Sequence, residues 1–419
     1  MRIFLNNIFY GLFLAVLGLA SCQDKWAEHN ELKDPQLQKT LYDVISEDGQ
    51  FSKFHDLLKN TGLDKELKAS KNYTLILPTN TAVEQASQVM DFNNAEVVSN
   101  YVSYHILNSA YTLRPQSDTL RVKSIYTKYV NFLDGKINGV TPVLANNVVA
   151  NGIYHIISQP ILPKENIYEF MTNSYRNSKQ GQAISAFDTV YVENDSLIYK
   201  SSPAWVSEVK RYMTNERQQF TYFILEDNYF DEQYNTLSPY YSTDYDQNGP
   251  RPDSTTVFFT QKAMLADLIV PGYYTLDNLS DSLESVSGLK FKVDASKIVE
   301  TFELSNAVVY KVSSLPVQLK DQIREFKILG NLPSGFRQND KSGNIYYRNK
   351  IDNSGNLYND IQVFGHGVSQ FYIKYNRRAT PSVKYKVYGR GIIGLQGDPQ
   401  NGVAAPYNTL VKQYVAFWK

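Results

Sequence analysis

One cysteine, Cys22, is all the thiol chemistry this chain has. It follows Leu19-Ala20-Ser21 and an apolar run from Ile8 to Leu19, with Arg2 ahead of it. A positive start, a short apolar stretch and small residues at the cleavage point make a secretory signal. The run falls short of the roughly 20 residues a membrane-spanning helix needs. An exported chain with a single thiol cannot form an internal disulfide. Everything beyond Cys22 must therefore be held by apolar packing and hydrogen bonds. The 419 residues suggest two or three domains.

Leu19-Ala20-Ser21-Cys22 resembles the bacterial lipobox, in which the cysteine thiol is diacylated and cleavage leaves that cysteine first. The resemblance makes residues 1–21 a lipoprotein signal peptide, Cys22 the lipid attachment site and a membrane the partner. At about 0.8 kcal/mol per buried CH2, several acyl chains hold a protein firmly. An ordinary signal peptide with an incidental cysteine is the plainer alternative. Residues 22–35 are polar, without apolar periodicity, and read as a lipidated tether.

Lys+Arg and Asp+Glu both count 42, so no global field draws the chain to nucleic acid. Tyrosine supplies 32 residues. Exposed tyrosine suits glycan or protein contact, because the ring packs while the hydroxyl stays wet. Tyrosine is equally a good strand residue.

From Leu37 the pattern turns helical, with Leu41, Val44 and Ile45 on one face and Phe51, Phe54, Leu57 and Leu58 on another. Tyr73 to Leu77 is a short apolar strand that Pro78 should stop. Thr81 and Glu84 have capping-box spacing. A helix is expected over Ala95 to Leu107, with a stripe of Val98, Tyr101, Val102, His105 and Ile106.

Three boxes here resemble the fasciclin domain. Thr74 to Ala82, with Thr74, Pro78, Thr79 and Asn80, is similar to its first box. Tyr104-His105 is similar to its central pair, and Asn151-Gly152-Ile153-Tyr154-His155 to its closing box. Val83 departs from the family, which usually has an aromatic there. Thr221 to Phe230, Leu268 to Thr275 and Asn306 to Tyr310 parallel these boxes at similar offsets, as a duplicated domain requires. In that alignment Leu268 replaces His105 and Tyr310 replaces His155. The resemblance implies an α+β chain: fasciclin-like domains over 36–165 and 166–318, the second divergent. After about Glu325, short alternating runs between turn clusters argue for an all-β sandwich-like domain over 325–419. Expected strands there are Ile345 to Arg348, Ile361 to Phe364, Phe371 to Tyr375, Val383 to Tyr388 and Gln413 to Trp418.

His105 and His155 sit in apolar patterns and read as core histidines with hydrogen-bonded rings. The five histidines lack metal-ligand spacing, so neither metal nor cofactor is expected. No nucleophile elbow or phosphate loop is present, and the acids at Asp227, Asp231 and Glu232 carry little weight. The segment Tyr234 to Asp253 stands out. Its Tyr240, Tyr241, Asp244, Tyr245 and Asp246 could stack on a sugar and bond its hydroxyls, or belong to a solvated insertion. The whole resembles fasciclin-domain lipoproteins of the Bacteroidota cell envelope. That resemblance implies a non-enzymatic adhesion or binding protein at the outer membrane, surface-facing, with a glycan or protein ligand. The alternative is a scaffold docking an outer-membrane carbohydrate importer.

Overall fold

The computed structural model describes residues 35–388, except 69–70, 194–195, 243, 247–248, 252–253, 280–281, 352–354, 364 and 377–379. The signal sequence, Cys22, all but the last residue of the tether and the expected strand Gln413 to Trp418 lie outside the described residues. The chain divides into two compact units. Of the described residues, the first holds those up to Phe170 with Thr214–Gln219 and Glu303–Ala307; the second holds those of Met171–Met213, Phe220–Phe302 and Val308 to Tyr388. No helix among the described residues is long and apolar enough to cross a membrane.

In the first unit, helix α1 (Leu41–Glu47) starts four residues later than the apolar pattern suggests. The reason is a capping box: Thr40 Oγ1 accepts from the Asp43 amide, and the Asp43 carboxylate accepts from the Thr40 amide. Helices α2 (Ser52–Thr61) and α3 (Asp64–Lys68) lead to strand β1 (Tyr73–Pro78). Pro78, opposite Ile157, is the last residue of the strand, which stops there as expected. Helix α4 (Asn80–Ser87) is capped by Thr79, whose side chain accepts from the Ala82 amide. The expected Thr81–Glu84 box does not form; Glu84 pairs with Lys53. Helix α5 (Ala95–Tyr104) is shorter than expected, because Ile106 and Leu107 turn out of it as strand β2 (Ile106–Leu107) and pair with β1. Sheet pairing there outweighs the helical periodicity of Ile106.

A ribbon follows: β3 (Leu120–Lys123), β4 (Tyr129–Leu133) and β5 (Lys136–Ile137). Strands β6 (Leu144–Val149) and β7 (Gly152–Ile157) complete a sheet in the order β2-β1-β7-β6, with β1 and β7 parallel. Both faces of β1 are covered, which explains its unbroken apolar run. Leu75 and Leu77 join the core under the helices, with Leu41, Phe54, Leu58, Tyr101 and Val102. Ile76 points the other way, into a core beneath the ribbon with Val122, Val130 and Phe132.

In the second unit, helices α6 (Ile167–Thr172, shared between the units) and α7 (Lys179–Ala186) precede the hairpin β8 (Asp188–Glu193)–β9 (Ser196–Ser201). Strand β10 (Phe220–Leu225), buried throughout, leads to α8 (Asp227–Leu237), the hairpin β11 (Asp244–Asp246)–β12 (Gly249–Arg251) and α9 (Ser254–Asp267). Then come β13 (Ile269–Pro271), the short pair β14 (Leu283–Glu284)–β15 (Lys290–Phe291), β16 (Ile298–Glu303) and β17 (Ala307–Val312). The sheet order is β13-β10-β17-β16, the same succession of strands as in the first sheet. After α10 (Leu319–Gln322), strand β18 (Gly335–Phe336) pairs with β21 (Ile373–Lys374), and β19 (Ile345–Ile351) pairs with β20 (Leu357–Val363). The expected strand Val383 to Tyr388 is irregular chain.

Gly152 is the tightest point of the first sheet. A Cβ there would lie 2.2 Å from the Tyr73 carbonyl oxygen, on the backbone of the paired strand. Backbone cannot step aside as a side chain can. Gly152→Ala is expected to destabilise the first unit by about 2–3 kcal/mol, read as a lowered urea midpoint; an unchanged midpoint would contradict the packing.

Candidate functional site

The residues of the three boxes converge on the first sheet, and each satisfies backbone groups. Thr74 Oγ1 donates to the Ser109 carbonyl (2.7 Å) and accepts from the Tyr111 amide (2.7 Å). Asn151 Oδ1 accepts from the first amide of α1, at Leu41 (2.8 Å), and its Nδ2 donates to the Leu67 carbonyl (2.7 Å). Asn80 accepts from the Lys53 amide and donates to the Gly49 carbonyl, tying the starts of α2 and α4. Tyr104 Oη donates to the Tyr129 carbonyl and accepts from Asn138 Nδ2. Burial pushes its phenol up to about 12.

The two histidines are fully buried. His105 Nδ1 donates to the Tyr101 carbonyl (2.8 Å), among the rings of Tyr101, Phe54 and Tyr104. Its Nε2 and the Tyr101 hydroxyl are buried with no hydrogen-bond partner among the described residues. Burial lowers its pKa to about 4. His155 Nδ1 accepts from the Asn146 amide, and its Nε2 donates to the Tyr111 carbonyl, each at 3.2 Å. Burial lowers its pKa as well. Both imidazoles are neutral and enclosed, so neither is placed to act on a dissolved molecule.

The second sheet repeats this arrangement with different side chains. Thr221 Oγ1 donates to the Gly272 carbonyl and accepts from the Tyr274 amide, each at 2.9 Å. Asn306 Oδ1 accepts from the Ile167 amide, and its Nδ2 donates to the Asn215 carbonyl. Tyr310 Oη donates to the Tyr274 carbonyl (2.9 Å), as His155 does to Tyr111. The carbonyls of His105 and Leu268 take equivalent bonds from the Ile76 and Phe223 amides.

The five residues proposed for ligand contact fall in two places. Tyr240 closes a 3-10 turn (Ser238–Tyr240) after α8, and its carbonyl accepts from the Ser382 amide. Tyr241 is half-buried, and its phenol is pushed up to about 12 by burial and then by the charge of Asp267. Asp244, Tyr245 and Asp246 form β11. The segment from Tyr234 is thus a helix end, a turn and a small hairpin. Asp227 accepts from the Lys179 amide and Asp231 pairs with Lys179, which gives both acids a structural partner. No group of three or more His, Cys, Asp or Glu among the described residues is placed to hold a metal.

Two buried charge clusters escape sequence reasoning. In the first unit Lys128, 5% exposed at its side chain, contacts Glu169 (2.7 Å) and Glu216 (2.9 Å). Asn166 and Ser305 also donate to Glu216, and Arg121 donates to the carbonyls of Glu216 and Ser305. In the second unit Asp267 accepts from Ser287, Gln322 and Arg324 beside a cavity of about 20 Å³, room for one water. Burial raises Asp267 to about 6, against the opposing hydrogen bond of Ser287 and charge of Arg324. Neither cluster has a sequence signature, because its members come from separate elements.

The two buried groups give opposite pH dependences. His105 binds its proton more weakly folded than unfolded, so its contribution is complete near pH 7 and is lost as pH falls from about 6.5 to 4. The loss amounts to about 3 kcal/mol. Asp267 binds its proton more tightly folded, so the second unit gains stability as pH falls from about 6 to 4, by a similar order. Urea midpoints at pH 7 and 4.5 should show His105→Leu removing the acid loss of the first unit, and Asp267→Asn removing the gain of the second. An unaltered pH dependence in either variant would refute that assignment. Lys128→Met should cost the first unit about 3 kcal/mol by stranding the buried carboxylate of Glu216 beside the partly exposed Glu169. Adding Glu216→Gln should recover part of the loss; no recovery would show that packing alone was removed.

A family model for the fasciclin domain matches residues 49–163. Among solved structures, a FAS1 domain pair from the insect cell adhesion molecule fasciclin I is similar at 15% identity. That alignment covers 66% of this chain and 100% of the other, at a TM-score of 0.27. No curated protein matches. Fasciclin domains serve generally in adhesion and binding. Residues 49–163 thus form a fasciclin-like domain.

Proposed function

We propose that this protein is a lipid-anchored binding or adhesion protein of the cell surface, built on two fasciclin-like units that offer surfaces to a glycan or an envelope partner. The observation that carries the reading is the exchange of His155 for Tyr310. Imidazole and phenol donate to the same kind of carbonyl, at Tyr111 and at Tyr274. A position that accepts either ring is using it as a hydrogen-bond donor, not as an acid–base group. The paired bonds of Thr74 and Thr221, and of Asn151 and Asn306, support the second sheet as a divergent copy of the first.

With the polar motif residues engaged in holding the fold, recognition falls to surface segments. Tyr240, Tyr241 and the β11 residues Asp244, Tyr245 and Asp246 are the proposed contacts. The lipobox-like Leu19-Ala20-Ser21-Cys22 supports lipid attachment at Cys22, and through it a place on the outer membrane.

A glycan array and an envelope pull-down with residues 24–419 test the reading. Retention of a glycan or a discrete partner, weakened at least tenfold by Tyr240→Ala with Asp244→Ala, is the expected result. No retention across a broad panel would refute it. Recovery with a transporter but no glycan would move the reading to a docking scaffold. Incorporation of labelled palmitate should vanish in Cys22→Ser, and incorporation that persists would refute the anchor.

A further inference from the structure

The β19–β20 ribbon of the second unit has its polarity inverted. Its register pairs Ile345 with Val363, Tyr347 with Ile361, Asn349 with Asn359 and Ile351 with Leu357. Residues directly opposite share a face, so six of these eight side chains make an apolar face. The other face carries Arg348 opposite Asp360, between Tyr346 opposite Gln362 and Lys350 opposite Tyr358, with Gln362 accepting from Arg348. An antiparallel pair ordinarily turns its apolar face inward. Here the polar pair is the covered one: Arg348 and Asp360 are each 13% exposed at the side chain. On the apolar face Ile345 is buried at the base, while Tyr347, Ile351 and Leu357 are 61%, 67% and 71% exposed toward the tip. A two-stranded ribbon is marginal by itself and needs apolar cover on its open face.

We propose that the run Leu410 to Trp418 of this same chain docks on the apolar face of the ribbon. Leu-Val-Lys-Gln-Tyr-Val-Ala-Phe-Trp is apolar at seven of its nine positions and rich in strand-forming residues. It supplies the bulk that Tyr347, Ile351 and Leu357 lack. Reach is no obstacle: the residues between Tyr388 and Leu410 span up to about 70 Å when extended. Tyr388, where the described chain ends, is itself solvent-exposed. Docking in cis has the advantage of a high effective concentration over any strand from another molecule.

The test places a photo-crosslinking residue, p-benzoylphenylalanine, at Leu357 of the full chain, a position exposed enough to tolerate it. Irradiation should give a product of monomer mass whose crosslinked peptide maps to 410–418. Adducts of dimer mass would make a second copy the occupant; adducts to other peptides, or none, would leave the run elsewhere. Each of these overturns the proposal. A chain ending at Asn408 gives an independent reading. Amides of β19 and β20 should exchange at least tenfold faster in it, and a synthetic 409–419 peptide should restore their protection. Unchanged exchange would also overturn the proposal.

Discussion

The first sheet depends on hydrogen bonds from a few buried side chains to backbone at the strand ends. A strand buried on both faces, as β1 is, leaves the backbone packed beside it partly cut off from water. Unpaired amides and carbonyls there would each cost about 1–3 kcal/mol. Thr74 answers for the carbonyl of Ser109 and the amide of Tyr111, and Asn151 for Leu41 and Leu67. Gly152 lets β7 lie against Tyr73 without a clash. With the backbone satisfied, apolar side chains can fill both faces, and a fold without disulfides has two cores in one unit.

The same constraint explains why the boxes hold polar residues without implying chemistry. A threonine, an asparagine and a ring donor recur at the corresponding points of the second sheet. What differs is the fill. Leu268 stands where His105 does, and removes the cost of an imidazole with an unpartnered nitrogen. Gln180, fully buried, bonds the Tyr222 hydroxyl, the Phe223 carbonyl and the Leu225 amide.

Strand β1, its boxes and the core histidines are legible in the sequence because they are local: an apolar run, a cap, a short motif. The ends of α1 and α5 are not. Thr40 and Asp43 override the periodicity that begins at Leu37, and Ile106 and Leu107 fit the helical stripe yet pair with β1. The Lys128 and Asp267 clusters are illegible for a different reason. Glu216 lies 88 residues from Lys128, and Arg324 lies 57 from Asp267, so only the fold brings them together. The segment after Tyr234 reads as a loop because its tyrosines and prolines break both periods, although the chain there forms a turn and a hairpin. The ribbon misleads in the opposite sense, since its alternation marks a strand pair correctly but gives no sign of which face lies open.

Amide exchange at Tyr111 and Tyr274 tests most directly whether the two threonines hold the two sheets in the same way. Both amides should be protected to the level of their sheets. Thr74→Val should release Tyr111 alone, and Thr221→Val should release Tyr274 alone. Fast exchange at either amide in the unaltered protein, or protection that survives the substitution, would contradict the account.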